Sequence, residues 1–349
     1  MNFLLQAKGW SIGIAALMLA GCIFAFPQQA IEGVQQGLER CYTTIIPTLF
    51  PFFVIADLFL QSPLVKLTQW LLLPITSLLK IPKEHNGFLL TGWVAGFAAS
   101  AASIGHSLQK EQISQNQAAV LLTVSTAAGP SFVIGAVGYS ILGNVQMGIF
   151  LYLCQLIACV ISTFIMGIFL PYHGETLQDC SSNKTSSFPE ILTHAVSSTL
   201  NVCGYVVFFF LLYQLLPPSI QNWPIACLLE MTLGCNESTS LSPYVPFAAA
   251  TSISLLGICA FAQISSLTYH QVSLLPLLAS RLFHLPILLG CFYAFLRFVP
   301  ISTNVWANST QKLILPLRMP KDAALIFFLF AVAVCCSCRF SLYRQNPEL

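Results

Sequence analysis

Few residues of this 349-residue chain have types that could do chemistry, and the most telling are Arg281 and His284, one helical turn apart within the apolar run 272–296. A guanidinium cannot shed its proton, so at membrane depth it must meet a carboxylate, a carbonyl, trapped water or an anionic ligand. The pair therefore points to a solute pathway, and Arg281→Ala is expected to abolish function. Glu230 lies in the apolar window 224–235, which is too short to cross a bilayer. It would face an interior cavity, where it could bind solute or couple protons, or it would form a structural ion pair with Arg281.

The segment Ser125, Thr126, Ala127, Ala128, Gly129, Pro130, Ser131 interrupts a third apolar run. Pro130 fits the first turn of a new helix, where its missing N–H costs nothing. The unpaired N–H groups of that turn would point into the gap, and a helix start is worth about 0.3–2 kcal/mol to a nearby anion. A Pro kink sealed by neighbouring helices is the alternative. In the run 87–104, Gly92, Gly96 and Ser100 fall at spacing four, as do Ala95, Ala99 and Ser103, a pattern that brings helices close together. Ser103 and His106 could still line a pathway, although His106 reads as an interfacial residue. Asp57, near the end of its window, reads as an interface anchor or an ion-pair residue.

The elements that must position these groups are membrane helices. Hydrophobic residues make up 56% of the chain, charged residues 7%, and Phe occurs 27 times, with a mean hydropathy of +0.78. No soluble domain of this length has that composition. Apolar windows recur along the chain, several of them under the roughly 20 residues a spanning helix needs. They imply about eight to ten crossings, with re-entrant or broken helices among them. Window 9–26 resembles a signal peptide but lacks a small-residue cleavage site, so it reads as a retained helix. Residues 27–44 alternate at helical spacing and read as an interfacial amphipathic helix.

The net charge of +2 is not gathered into a basic patch, so nucleic acid is not an expected partner. Most of the 13 cysteines lie inside apolar windows, where Cys behaves as a small hydrophobe, and none has metal-ligand spacing with His. No cofactor motif or metal set is expected. Nor is an enzyme, for want of a nucleophile with base and orienter, or a phosphate loop.

Ser107, Leu108, Gln112, Ile113 and Ser114 recur as Ser266, Leu267, Gln271, Val272 and Ser273, a constant offset of 159 (266 minus 107). Each copy precedes a Pro-interrupted run, with breaks expected at Gly129 and Pro130 in one and at Pro276 and Pro286 in the other. Corresponding interrupted helices in two halves are a feature of repeat-built transporters, with the site at the breaks. The predicted fold is an all-α polytopic membrane protein with two related halves. Residues 1–44 hold the N-terminal helix and the interfacial helix, 45–170 and 194–296 are the two halves, 171–193 a polar linker, and 297–349 a loop and a C-terminal membrane helix.

Phe50, Pro51, Phe52, Phe53 and Val54, Gln112 to Ser114, Gly129 to Val137, Leu229 to Gly234, Ala262 to Ile264, and Arg281 follow one another in an order that resembles the YlbJ (SpoVV) type of sporulation integral membrane protein. That family carries a nucleoside-recognition "gate" membrane domain. The resemblance implies a bacterial spore former, a mother-cell or outer forespore membrane, and movement of dipicolinic acid towards the forespore. Where the family has a Ser-Gly-x-Pro-x-Gly-Ala-Lys stretch, residues 98–105 lack Pro and Lys, so one helix break and one positive charge are expected to be missing. The expected solute-binding set is Arg281, Glu230, Thr232, Ser125, Thr126, Gly129, Ser131, Gln263, His284 and Ser103, with Glu230 and Asp57 as coupling or ion-pair residues. The expected partners are the lipid bilayer and a small anionic solute, with self-association left open. A nucleoside-like solute and a non-transporting scaffold of the spore envelope are the alternatives.

Overall fold

A helix that is apolar all round must be covered by lipid or by other helices, and both coverings occur here. The computed structural model describes residues 2–169 and 186–298. Most of the polar linker and the whole segment 299–349, with the expected C-terminal membrane helix, lie outside the described residues.

The chain begins with α1 (Asn2–Ala25) and α2 (Pro27–Arg40), which runs through a π-helical turn (Cys41–Ile45) into α3 (Ile46–Gln61). Pro27–Gln61 is thus one 35-residue helical segment that contains a stretch long and apolar enough to span a bilayer. The amphipathic stretch expected to lie separately at the interface is therefore part of a longer helix. Its small residues explain why. A Cβ on Gly33 would come within 2.8 Å of Leu211 Cα, and one on Gly37 within 2.7 Å of Val207 Cα, so that face packs directly on α10 (Phe188–Gln214).

Short paired helices follow: α4 (Val65–Leu71) with α5 (Leu73–Leu78), α6 (Asn86–Ala95) with α7 (Phe97–Gln109), and α8 (Gln115–Ser125) with a π-helix (Ser131–Ile141). The long α9 (Val145–Phe169) comes next. After α10 the pairs return as α11 (Trp223–Leu229) with α12 (Met231–Glu237) and α13 (Val245–Leu255) with α14 (Gly257–Leu267), and α15 (Leu275–Phe298) closes the described chain.

The offset of 159 extends to element bounds. Added to the starts of α6 and α8 it gives 245 (86 + 159) and 274 (115 + 159), at or beside the starts of α13 and α15. Added to the start of α4 it gives 224 (65 + 159), inside the first turn of α11. Helices α7 and α14 meet where Gly105 has no room for a side chain, since a Cβ there would lie 2.1 Å from the Leu267 carbonyl oxygen.

The breaks differ from expectation in two places. Run 87–104 is interrupted after all, at Gly96, whose φ of +95° ends α6. This left-handed conformation suits Gly because no Cβ clashes. Conversely, the run holding Arg281 is continuous: Pro276 occupies the first turn of α15, where it costs no hydrogen bond, and Pro286 lies inside the helix. The interruption at residues 126–129 is present as expected.

Among the described residues, five segments are long enough and carry a stretch apolar enough to cross a membrane: Pro27–Gln61, Val145–Ile168, Phe188–Gln214, Val245–Leu267 and Leu275–Phe298. Exposed Leu17, Phe24, Ile55, Trp70, Ile168 and Leu200 give the molecule an apolar outer surface suited to lipid. The chain is an all-α polytopic integral membrane protein.

The second hairpin break tests how much the interruptions matter. Gly257 has φ +77°, and a Cβ there would lie 2.9 Å from the Glu230 backbone nitrogen. Gly257→Ala is expected to cost about 1–3 kcal/mol from backbone strain and to lower the melting temperature in detergent. Gly204→Ala, in α10 with nothing within 4 Å, should be neutral or stabilising by about 0.5–1 kcal/mol. Equal behaviour of the two variants would show that the break geometry is not tightly determined.

Candidate functional site

The interrupted helices converge on a cavity of about 650 Å³, its open mouth included. Its walls contain Gly96 from the α6/α7 break, Gly129 and Ser131 from the α8 break, Glu230 and Thr232 from the α11/α12 break, and Gln263 from α14. The opposite wall is the α2–α3 helix, which presents Arg40, Thr44 and Thr48 at spacing four. Val202, Val206, Phe97 and Phe132 complete an otherwise apolar lining.

Glu230 is the C-cap of α11 and the N-cap of α12, with an extended backbone (φ −151°, ψ 134°). One carboxylate oxygen accepts from the Leu233 N–H at 2.8 Å and from the Thr232 hydroxyl at 2.5 Å. A carboxylate at this position satisfies an orphan donor and is favoured by the positive end of the helix. No ion pair joins it to Arg281 among the described residues; the basic residue beside the cavity is Arg40. Gln263 is buried, donates to the Cys259 sulfur at 3.1 Å, and has no hydrogen-bond partner for its side-chain oxygen among the described residues.

Five members of the expected solute set line this cavity: Gly129, Ser131, Glu230, Thr232 and Gln263. The other five do not. Arg281 is 1% exposed and sends one guanidinium nitrogen to the Thr126 carbonyl at 2.9 Å. It therefore stands at the C-terminal end of α8, where a cation complements the helix dipole. His284 is hydrogen-bonded to Ser254 (2.7 Å) and approaches the Cys159 sulfur at 3.5 Å. Ser125 is fully buried, bonding the Leu121 carbonyl at 2.6 Å and accepting from Ser100 at 2.7 Å. Thr126 bonds back to the Leu122 carbonyl with its hydroxyl. Ser103, further along α7, donates to Asp57 at 3.2 Å.

These contacts have one physical purpose. Irregular backbone at membrane depth must find partners inside the protein. The side chain of Gln155 supplies them to Ala128, donating to its carbonyl at 3.0 Å and accepting from its N–H at 3.2 Å. Phe97 N–H takes the Ala127 carbonyl at 2.8 Å, and the Phe132 and Val133 N–H groups turn back to the Gly129 carbonyl. The N–H groups expected to point freely into the gap are thus largely spent within the break, which leaves Arg40 as the main positive charge at the cavity.

Arg40 is the site residue that sequence reasoning missed. It falls on the amphipathic stretch 27–44, and its spacing of four from Thr44 and Thr48, on one helical face, is a readable signal. Asp57, expected as an interface anchor or an ion-pair residue, is 4% exposed and meets His194 Nδ1 at 2.7 Å.

No protein-family model matches the chain, and no solved structure matches it. Among curated proteins the chain is similar to "Sporulation integral membrane protein YlbJ" of Bacillus subtilis (strain 168), with 24% identity over 227 residues. The match covers 57% of this chain and 55% of that relative, about half the length of each.

Proposed function

We propose that this chain is a membrane permease for a small, flat, anionic metabolite, with dipicolinic acid delivered towards the forespore during sporulation as the first candidate. The observation that carries the reading is the convergence of interrupted helices on one cavity with Arg40 in its wall. A carboxylate of the solute would meet Arg40 in a planar fork, and the apolar walls at Val202, Val206, Phe97 and Phe132 would take the ring faces. Glu230 and the unpartnered oxygen of Gln263 would then face the far end of the solute. Glu230 protonated in the occupied state would accommodate a second carboxylate, which makes proton-coupled movement the natural mechanism. The similarity to a sporulation integral membrane protein supports the membrane and the developmental setting.

A nucleoside-like solute is the second reading. It is favoured by two acceptors, Glu230 and the Gln263 oxygen, on one side of the cavity, which suit a neutral ligand rich in N–H and O–H donors. Uptake into vesicles reconstituted with the full chain separates the two. Saturable dipicolinate uptake, unaffected by excess nucleoside and faster with an acidic exterior, is the expected result. Nucleoside uptake without dipicolinate uptake would transfer the site to the second reading. Absence of flux for either would favour a non-transporting scaffold of the spore envelope.

A further inference from the structure

A second polar cluster lies outside the cavity, and three different helices build it. Asp57 comes from α3, His106 from α7 and His194 from α10, residues 49 and 88 positions apart in the chain (106 minus 57, and 194 minus 106). Their ligand atoms all lie within 4.8 Å of one another. Asp57 is 4% exposed and its second oxygen stands 2.7 Å from His194 Nδ1. The His106 and His194 rings lie with centroids 4.7 Å apart at 31°. We infer that Asp57, His106 and His194 form a binding site for a divalent transition-metal ion.

An Asp–His hydrogen bond alone does not call for a second imidazole against the first, yet His106 is brought there by α7. Two imidazoles and one carboxylate are the donor set of zinc and of the late first-row metals, and they leave positions for water. Metal–nitrogen and metal–oxygen bonds of about 2.0–2.2 Å place tetrahedral ligand atoms roughly 3.3–3.5 Å from one another. The ligand atoms lie within 4.8 Å of one another, so binding would draw them together by about 1 Å or more. The surrounding contacts suit it as well. Ser103 donates to the other Asp57 oxygen at 3.2 Å, the outer contact that fixes a ligating carboxylate. The opposing charge nearby is Lys110, one turn beyond His106, whose ammonium meets the Ser186 hydroxyl at 2.5 Å. Carboxylate charge at the site comes from Asp57, and that of Glu190 also reaches His106. A bound ion would tie α7 to α3 and α10, the helices whose packing positions the Gly96 break.

This inference is independent of the solute. The full chain, purified in detergent and stripped with a chelator, would be titrated with zinc and, separately, with cobalt. One zinc per chain retained after desalting is expected, with visible ligand-field bands for cobalt and a higher melting temperature in the loaded form. His106→Gln and His194→Gln should each weaken binding by at least about tenfold, and Ser103→Ala by roughly the 10-fold or more typical of outer contacts. His270→Gln, at an exposed position, should bind as the parent does. X-ray absorption of the unmutated zinc form should show two imidazole ligands and no sulfur, a readout that needs no variant to fold. Substoichiometric retention, a thiolate shell, or parental affinity in both histidine variants would each overturn the assignment.

Discussion

Arg281→Ala is expected to produce a protein that unfolds far more readily than the parent, and to lose function for that reason. The guanidinium is 1% exposed and is held against the Thr126 carbonyl at 2.9 Å, at the point where α8 stops and irregular backbone begins. Without it, that carbonyl keeps only the Cys159 thiol at 3.5 Å, and a void the size of an arginine side chain opens between α8, α9 and α15. The lost charge-assisted hydrogen bond and the unfilled space together cost about 2–5 kcal/mol. Arg281→Lys should recover part of this, since it keeps the charge at the helix end but reaches the carbonyl with a single point donor. Thermal unfolding in detergent is the measurement. An Ala variant that melts with the parent yet transports nothing would return Arg281 to the role first expected from its position in sequence, a residue that meets solute.

The contrast shows what a sequence can and cannot display. A cation in an apolar run announces that it needs a partner, because the alternative is prohibitive. It does not announce which one, and the partner here is a backbone carbonyl 155 residues away, with no side-chain signature. The break at residues 126–129 was legible because Pro130 cannot donate a backbone hydrogen bond. Those at Gly96 and Leu256–Gly257 were not, because Gly within a small-residue run is equally a packing device. Leu256 takes a left-handed φ of 67° without any local cue at all. Glu230 was visible as a charge in a window too short to span, and it does face the cavity. Its partner is the start of α12, a local contact masked by the attraction of pairing it with a distant cation. The repeat is faint as five matched letters, and the same offset of 159 brings three pairs of helix starts to within one residue of each other. Asp57, His106 and His194 could not be assembled beforehand, as nothing in their spacing places α3, α7 and α10 together.

Arg40 carries the opposite expectation from Arg281. It lies at the surface of the cavity rather than behind its wall, so Arg40→Ala should leave the melting temperature nearly unchanged while disabling anion uptake. A hydrogen bond to a charged group contributes roughly 1.5–3 kcal/mol, so the loss in apparent affinity for dipicolinate should be about 10- to 150-fold. Arg40→Lys should retain more than Ala does, because it keeps the charge but not the planar fork that matches a carboxylate. Glu230→Gln adds a second axis to the comparison. It keeps a side-chain oxygen to cap α12 while removing the ionisable group, so the dependence of uptake on external pH should flatten. If nucleosides are the solutes, the ranking reverses: Arg40→Ala becomes mild and Glu230→Gln severe, since a neutral ligand loses its charged acceptor but needs no cation. Parental dipicolinate uptake by Arg40→Ala would show that the anion does not pass Arg40, and with it would go the case for this cavity as the anion's path.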